Sequence, residues 1–281
     1  MTGPERCGLS SHTDRPRGIV CDTNVFERAV RSSAHRRHLN RLRQACDRCS
    51  TPLLYSLLTV LELQRRVRGR DLLDSISDVM EIAGCMLDVC DNAAPHPFAV
   101  LIETLGGRPP ASLSNMNART VARFAALSRC DDCDSPRVRR ALHRFISEDT
   151  RRAFSDHLDG IKTRKEGRLY TPDVILLMLG AKLGLPKSAL AHLVDETDRE
   201  QVQAKLLPYL KACAAAAQKT LNPTFKPYGK ASHMLEDRWF LVYLSGGFGL
   251  VTEDLEVRSF AKETMHERRV KSFEDALSLL L

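Results

Sequence analysis

Gly18-Ile-Val-Cys-Asp22-Thr-Asn24 is the stretch whose reading decides the fold. Ile19, Val20 and Cys21 form a short apolar run, which reads as a buried strand, and a helix is expected to start near Asn24. Asp22 stands where that strand ends. Near the other terminus, Leu250-Val-Thr252-Glu-Asp254 repeats the arrangement. Open α/β sheets bind ligands beyond the carboxyl ends of their strands, so both acids fall where chemistry is expected.

Working outward, residues 26 to 49 are Arg-rich with apolar residues at helical spacing, and Pro52 to Tyr55 is a second strand candidate. Leu57, Leu58, Leu61 and Val67 suit an amphipathic helix over Ser56 to Arg68. Residues 71 to 90 continue as an apolar helix that ends in a strand around Met86 to Cys90, and Asn92 to Pro97 is a break. Helical periodicity then runs to about Thr220, where the Ala-rich stretch Lys211 to Lys219 is a strong helix former. Asn222 to Gly229 is a loop, Ser232 to Leu244 a helix ended by Gly246-Gly247, and Phe248 to Thr252 a strand. A helix over Glu253 to Glu267, a terminal strand over Arg269 to Phe273 and a short helix follow. Strand-helix alternation at both ends predicts a parallel α/β sheet carrying an all-helical insertion. The expected division is a disordered leader at 1–17, one α/β unit built from 18–90 and 230–281, and a helical insertion at 91–229.

With 281 residues and 43% hydrophobic content, the chain can bury a core without disulfides or a structural metal. Residues 31 to 70 hold ten arginines against two acids, Asp47 and Glu62, an excess of eight over a whole-chain charge of +7. Such clustering suits phosphate contacts, although a solvated helix face explains it equally well. Nine cysteines without dense spacing, a polar N-terminus and the lack of any long apolar run predict free thiols, a cytoplasmic setting and no membrane span.

Four carboxylates sit on otherwise apolar elements: Asp22, Glu62, Asp237 and Asp254. Carboxylates there are costly unless paired or metal-bound, and oxygen donors suit magnesium or manganese. A divalent ion so held would activate water and neutralise charge on a phosphate. Each acid also has a plainer reading. Asp22 would be a helix N-cap, Glu62 a partner of Arg66 one turn on, and Asp237 a first-turn acid.

The segments Val20-Cys-Asp22-Thr-Asn24-Val-Phe, Ser56-Leu-Leu-Thr59-Val-Leu-Glu62-Leu, Asp237-Arg-Trp-Phe-Leu-Val-Tyr-Leu and Leu250-Val-Thr252-Glu-Asp254 resemble, in order, the four motifs of the PIN domain family. The resemblance covers about 18–90 and 230–281. It implies an α/β/α sandwich and a hydrolase, a metal-dependent ribonuclease. Asp22, Glu62, Asp237 and Asp254 would bind one or two Mg2+ or Mn2+ ions, with Asn24, Thr59 and Thr252 as polar supports. Glu253 competes with Asp254 for the last place. The departure from the family is the long stretch between Glu62 and Asp237, whose helices would serve RNA or a protein partner.

Arg65, Arg66 and Arg68 beside Glu62, and Lys226 and Lys230 around Tyr228, are the candidate nucleic-acid contacts. Two C-x-x-C pairs, Cys46/Cys49 and Cys130/Cys133, have zinc-ligand spacing but are far apart in the chain, and no zinc is expected there. Two rival readings stand beside the nuclease. One is a catalytically inactive PIN-like module that binds nucleic acid or protein. The other is a helical interaction protein whose acids are caps.

Overall fold

The computed structural model describes residues 15–68, 76–115, 196–220 and 237–280, with isolated positions between 119 and 176. The leader as far as residue 14, most of the helical insertion and the Lys226–Lys230 loop lie outside the described residues. The leader's expected boundary moves, because Arg17 is already anchored: its N–H donates to the Gly247 carbonyl at 2.9 Å and its guanidinium lies over the Phe248 ring at 5.5 Å.

Five parallel strands form one sheet in the order β3-β2-β1-β4-β5: β1 Ile19–Cys21, β2 Leu53–Tyr55, β3 Asn92–Ala93, β4 Gly249–Val251 and β5 Val270–Lys271. β1 is central, with Val20 opposite Leu54 on one side and opposite Leu250 on the other. The strands at the two ends of the chain are thus adjacent and parallel, as the short apolar runs predict. Alternate residues face opposite ways. Ile19, Cys21, Leu53, Tyr55 and Val251 belong to one apolar core, and Val20, Leu54 and Leu250 to another. A sheet covered on both faces needs strands that are apolar throughout, and β1, β2 and β4 are fully buried.

On the first face pack α1 Thr23–Arg31, α2 Ser33–Arg48 and α4 Ile76–Val89. On the second pack α5 Pro97–Thr104, α6 Glu196–Thr220, a 3-10 turn at Arg238–Leu241 that runs into α7 Val242–Ser245, and α8 Leu255–Ala261. α3 Leu57–Arg68 lends residues to both cores: Val60 and Leu63 to the first, Leu58 to the second. Trp239 is the centre of the second layer, with its ring 4.6 Å from Phe98 and 5.1 Å from Tyr209. Two glycines are required by geometry. A Cβ on Gly18 would stand 2.8 Å from Leu54 Cδ1, and Gly247 turns the chain into β4 with φ +83.

Several expected elements shift, each for a local reason. The Arg-rich helix is two helices, broken at Ser32, whose extended backbone lets its hydroxyl cap α2. The apolar run through Met86 to Cys90 is helical as far as Val89, because Val79, Ile82, Ala83, Met86 and Val89 recur at helical spacing against the core. The strand comes instead at Asn92–Ala93, in the expected break and inside the span assigned to the insertion. Its residues are half exposed, so no apolar run marks it. The helix expected over Glu253 to Glu267 covers only Leu255–Ala261, since Glu263 takes φ 59 and ends it. The described part of Ser232 to Leu244 is the 3-10 turn followed by α7. α5 and α6 are helical as expected of the insertion, and both pack on the sheet's second face.

Candidate active site

The strand order reverses between β1 and β4: β2 and β3 lie to one side, β5 to the other. The crevice beyond the carboxyl ends of β1 and β4 is therefore the topological switch point, the standard place for a ligand in an open α/β sheet. Asp22 follows β1 directly and Thr252 follows β4. Asp22 N–H donates to the Val251 carbonyl at 3.0 Å, which extends the β1–β4 pairing up to the site.

Asp22 is 8% exposed and its carboxylate is held on both oxygens. Oδ1 accepts from Thr23 N at 2.7 Å, which makes Asp22 the N-cap of α1. Oδ2 accepts from Asn24 Nδ2 and from the Thr252 hydroxyl, each at 2.7 Å. Asn24 reaches across in turn, its Oδ1 accepting from Glu253 N at 3.2 Å. Thr252 Oγ1 also accepts from Asp254 N at 3.1 Å. The two strand ends are thus laced by Asn24 and Thr252, which were expected as supports.

Glu62 arrives from α3. The Thr23 hydroxyl donates to Glu62 Oε2 at 2.6 Å, so one residue touches both carboxylates, Asp22 through its N–H and Glu62 through its O–H. Thr59, one turn earlier on α3 and fully buried, donates to the Cys21 carbonyl at 3.4 Å and ties this helix to the end of β1. Asp254 caps α8, its Oδ1 accepting from Glu256 N at 2.7 Å and Val257 N at 3.1 Å.

Burial raises the Asp22 carboxyl from its ordinary 3.8 to about 7, with the charge of Glu62 next and a smaller push from Asp254. The hydrogen bonds from Thr252 and Thr23 pull the other way and lose. Glu62 and Asp254 thus both act on Asp22 at the switch point. Asp237 is half-buried at the start of the 3-10 turn, in helical backbone geometry, and its side chain does not cap that turn.

Glu253 is occupied elsewhere. Its Oε1 accepts from Phe273 N at 2.7 Å and its Oε2 pairs with Arg28 at 3.0 Å. Asp254 is therefore the acid of this pair that acts on Asp22. Thr23 was missed as a positioning residue. The signal was its place between Asp22 and Asn24, where a hydroxyl at a helix start can reach a neighbouring element.

The other candidates divide. Arg65, Arg66 and Arg68 lie in the last turns of α3, but their side chains, like Lys226 and Lys230 and the Cys130/Cys133 pair, lie outside the described residues. Cys46 is buried and Cys49 partly so, and all six described cysteines are unpaired thiols. His38, half-buried, hydrogen-bonds the Phe273 carbonyl at 2.9 Å. The donors at the switch point are all oxygen, which suits a hard divalent cation. Among the described residues, however, no three His, Cys, Asp or Glu side chains are grouped as a metal would require. No described helix is long and apolar enough to cross a membrane.

Comparison with known proteins gives no match, whether to a family model, a curated protein or a solved structure.

Proposed function

We propose that this chain is a PIN-like α/β/α nuclease that hydrolyses RNA phosphodiester bonds with Mg2+ or Mn2+, and that Asp22, Glu62 and Asp254 form its centre. The observation that supports the reading is the push that Glu62 and Asp254 exert on the buried Asp22 at the switch point, which together with burial raises its carboxyl to about 7. A buried carboxylate beside two others is unfavourable to folding, and such arrangements concentrate at functional sites. A divalent ion would supply the charge that offsets this repulsion, act as a Lewis acid on phosphate oxygen and lower the pKa of a water in its shell.

The residues of the chain have separable parts in this scheme. Thr252 and Asn24 fix the Asp22 carboxylate, Thr23 sets the distance from Asp22 to Glu62, and Asp254 presents its carboxylate from the α8 cap. Asp237 would complete the set from the 3-10 turn. RNA rather than DNA, and a cytoplasmic setting, rest on the family resemblance and on the unpaired thiols.

The second reading, an inactive binding module of the same fold, is favoured by two specific observations. The Asp22 oxygens are already satisfied by three hydrogen bonds, and among the described residues the carboxylates are not grouped for a metal. Cleavage of labelled single-stranded RNA by the full chain, with Mn2+, Mg2+ or chelator, separates the two. We expect metal-dependent cleavage that falls at least a hundredfold in Asp22→Asn and Glu62→Gln. A wild-type chain that binds RNA without cutting it in either metal would establish the binding module instead.

A further inference from the structure

Arg238 is 2% exposed, yet among the described residues its Nε, Nη1 and Nη2 all lack a hydrogen-bond partner. Beside it is Tyr209 of α6, fully buried, whose hydroxyl also lacks one. The two are close enough to interact electrostatically, and Arg238 acts likewise on Cys213. Tyr209 approaches that thiol, one helical turn along, without a hydrogen bond of acceptable geometry. These groups lie where the Arg238–Leu241 turn packs on α6, in the second core, with the Trp239 ring tilted against Tyr209.

A guanidinium always carries its charge and presents five N–H donors in a planar fork. Burying it without a partner is among the costliest arrangements in a folded protein. The polar groups gathered here are donors: the fork, the phenol O–H and a weak S–H. A set in which every group can donate, around a fixed positive charge, complements an anion with several oxygens, and guanidinium geometry matches phosphate in a bidentate pair. The near-complete burial of Arg238 excludes a polymer backbone, so the complement must be a small ion.

We propose that Arg238 and Tyr209 hold a small tetrahedral oxyanion of the phosphate class between the 3-10 turn and α6. The site is distinct from the carboxylates at the switch point, whose charge repels anions. It lies one residue along the chain from Asp237, so occupancy would fix the turn that carries that acid.

The test is thermal melting and titration calorimetry of the full chain with inorganic phosphate or sulfate, against chloride at equal ionic strength. Wild type should bind with saturation and melt several degrees higher in either oxyanion. Arg238→Lys, which keeps the charge and loses the fork, should bind at least tenfold more weakly, and Tyr209→Phe severalfold more weakly. Arg238→Met should lose the response; should it fail to fold, the Lys and Phe variants decide. Asp22→Asn should respond as wild type does, whatever becomes of RNA cleavage. Equal melting in phosphate and chloride would overturn the proposal. So would wild-type binding in Arg238→Lys, or loss of the response in Asp22→Asn.

Discussion

Asp22 has two roles that pull on its protonation in opposite senses. As an N-cap and as the acceptor of Asn24 and Thr252 it favours the carboxylate. Burial and Glu62 favour the neutral acid, and the outcome is a carboxyl raised from 3.8 to about 7. Because the folded value lies above the unfolded one, Asp22 adds stability that is complete below about pH 4 and is lost as pH rises through about 7. Metal-free wild type should therefore lose on the order of a few kcal/mol across that window from this group alone. Asp22→Asn removes the titration. It also presents an amide N–H to the Asn24 amide donor, a mismatch worth about 1–2 kcal/mol. Melting curves of the two proteins from pH 4 to pH 8 should accordingly converge or cross as pH rises, with wild type the more stable in acid. Curves that stay parallel would show that Asp22 does not titrate in this range.

The loop from β4 into α8 distinguishes two neighbouring acids by what each holds. Glu253 pins that loop to the buried end of β5 through Phe273 N and to α1 through Arg28. Asp254 starts α8 and presents its charge to Asp22. Glu253→Gln keeps the hydrogen bond and loses a partly exposed ion pair, so stability should fall by under about 1 kcal/mol. Glu253→Ala strands the Phe273 N–H, at a cost of about 1–3 kcal/mol. In both, the cleavage expected of the nuclease should persist. Asp254→Asn should do the reverse, keeping stability because Asn caps nearly as well as Asp, and losing cleavage. Urea midpoints beside cleavage rates read this out. Full activity in Asp254→Asn with none in Glu253→Gln would exchange the two roles.

Across the whole molecule, the arginine excess of residues 31 to 70 is divided between structure and surface. Arg43 donates to the Val89 carbonyl at 2.7 Å and pairs with Asp91 at 2.6 Å, while Asp91 accepts from Leu53 N at 2.9 Å. This one side chain thus joins α2 to the end of α4 and the start of β2. Arg37, Arg41 and Arg48 are exposed on a single face of α2, at spacings of one and about two helical turns. Arg43→Met should cost about 1–3 kcal/mol in a denaturant titration and leave the salt dependence of RNA binding unchanged. Replacing Arg37 and Arg41 together by Ala should leave the melting temperature alone. The double replacement should flatten the slope of log affinity against log salt by about two, one for each phosphate contact. An unchanged slope would show that this face of α2 takes no part in the proposed RNA binding.

What the sequence determined by itself is what short-range patterns encode. The apolar runs at Ile19–Cys21, Leu53–Tyr55 and Gly249–Val251 read as buried strands and are so, and Asp22 and Asp254 cap the helices that follow two of them. Burial on both faces selects such runs, and a cap is decided within three residues. The edge strand Asn92–Ala93 left no such mark, since it is two half-exposed residues recruited by pairing with β2. The break at Ser32 and the end of α8 at Ala261 likewise follow from backbone geometry and packing. The site follows the same division. Its acids were legible as carboxylates on apolar elements, but their union depends on contacts between distant parts of the chain. Thr23 meets Glu62 across 39 residues, and Asp22 meets Thr252 across 230. The pairing of β2 and β4 on either side of β1 brings these groups together, because hydrogen bonds of about 2.7 Å need a position that no local pattern sets.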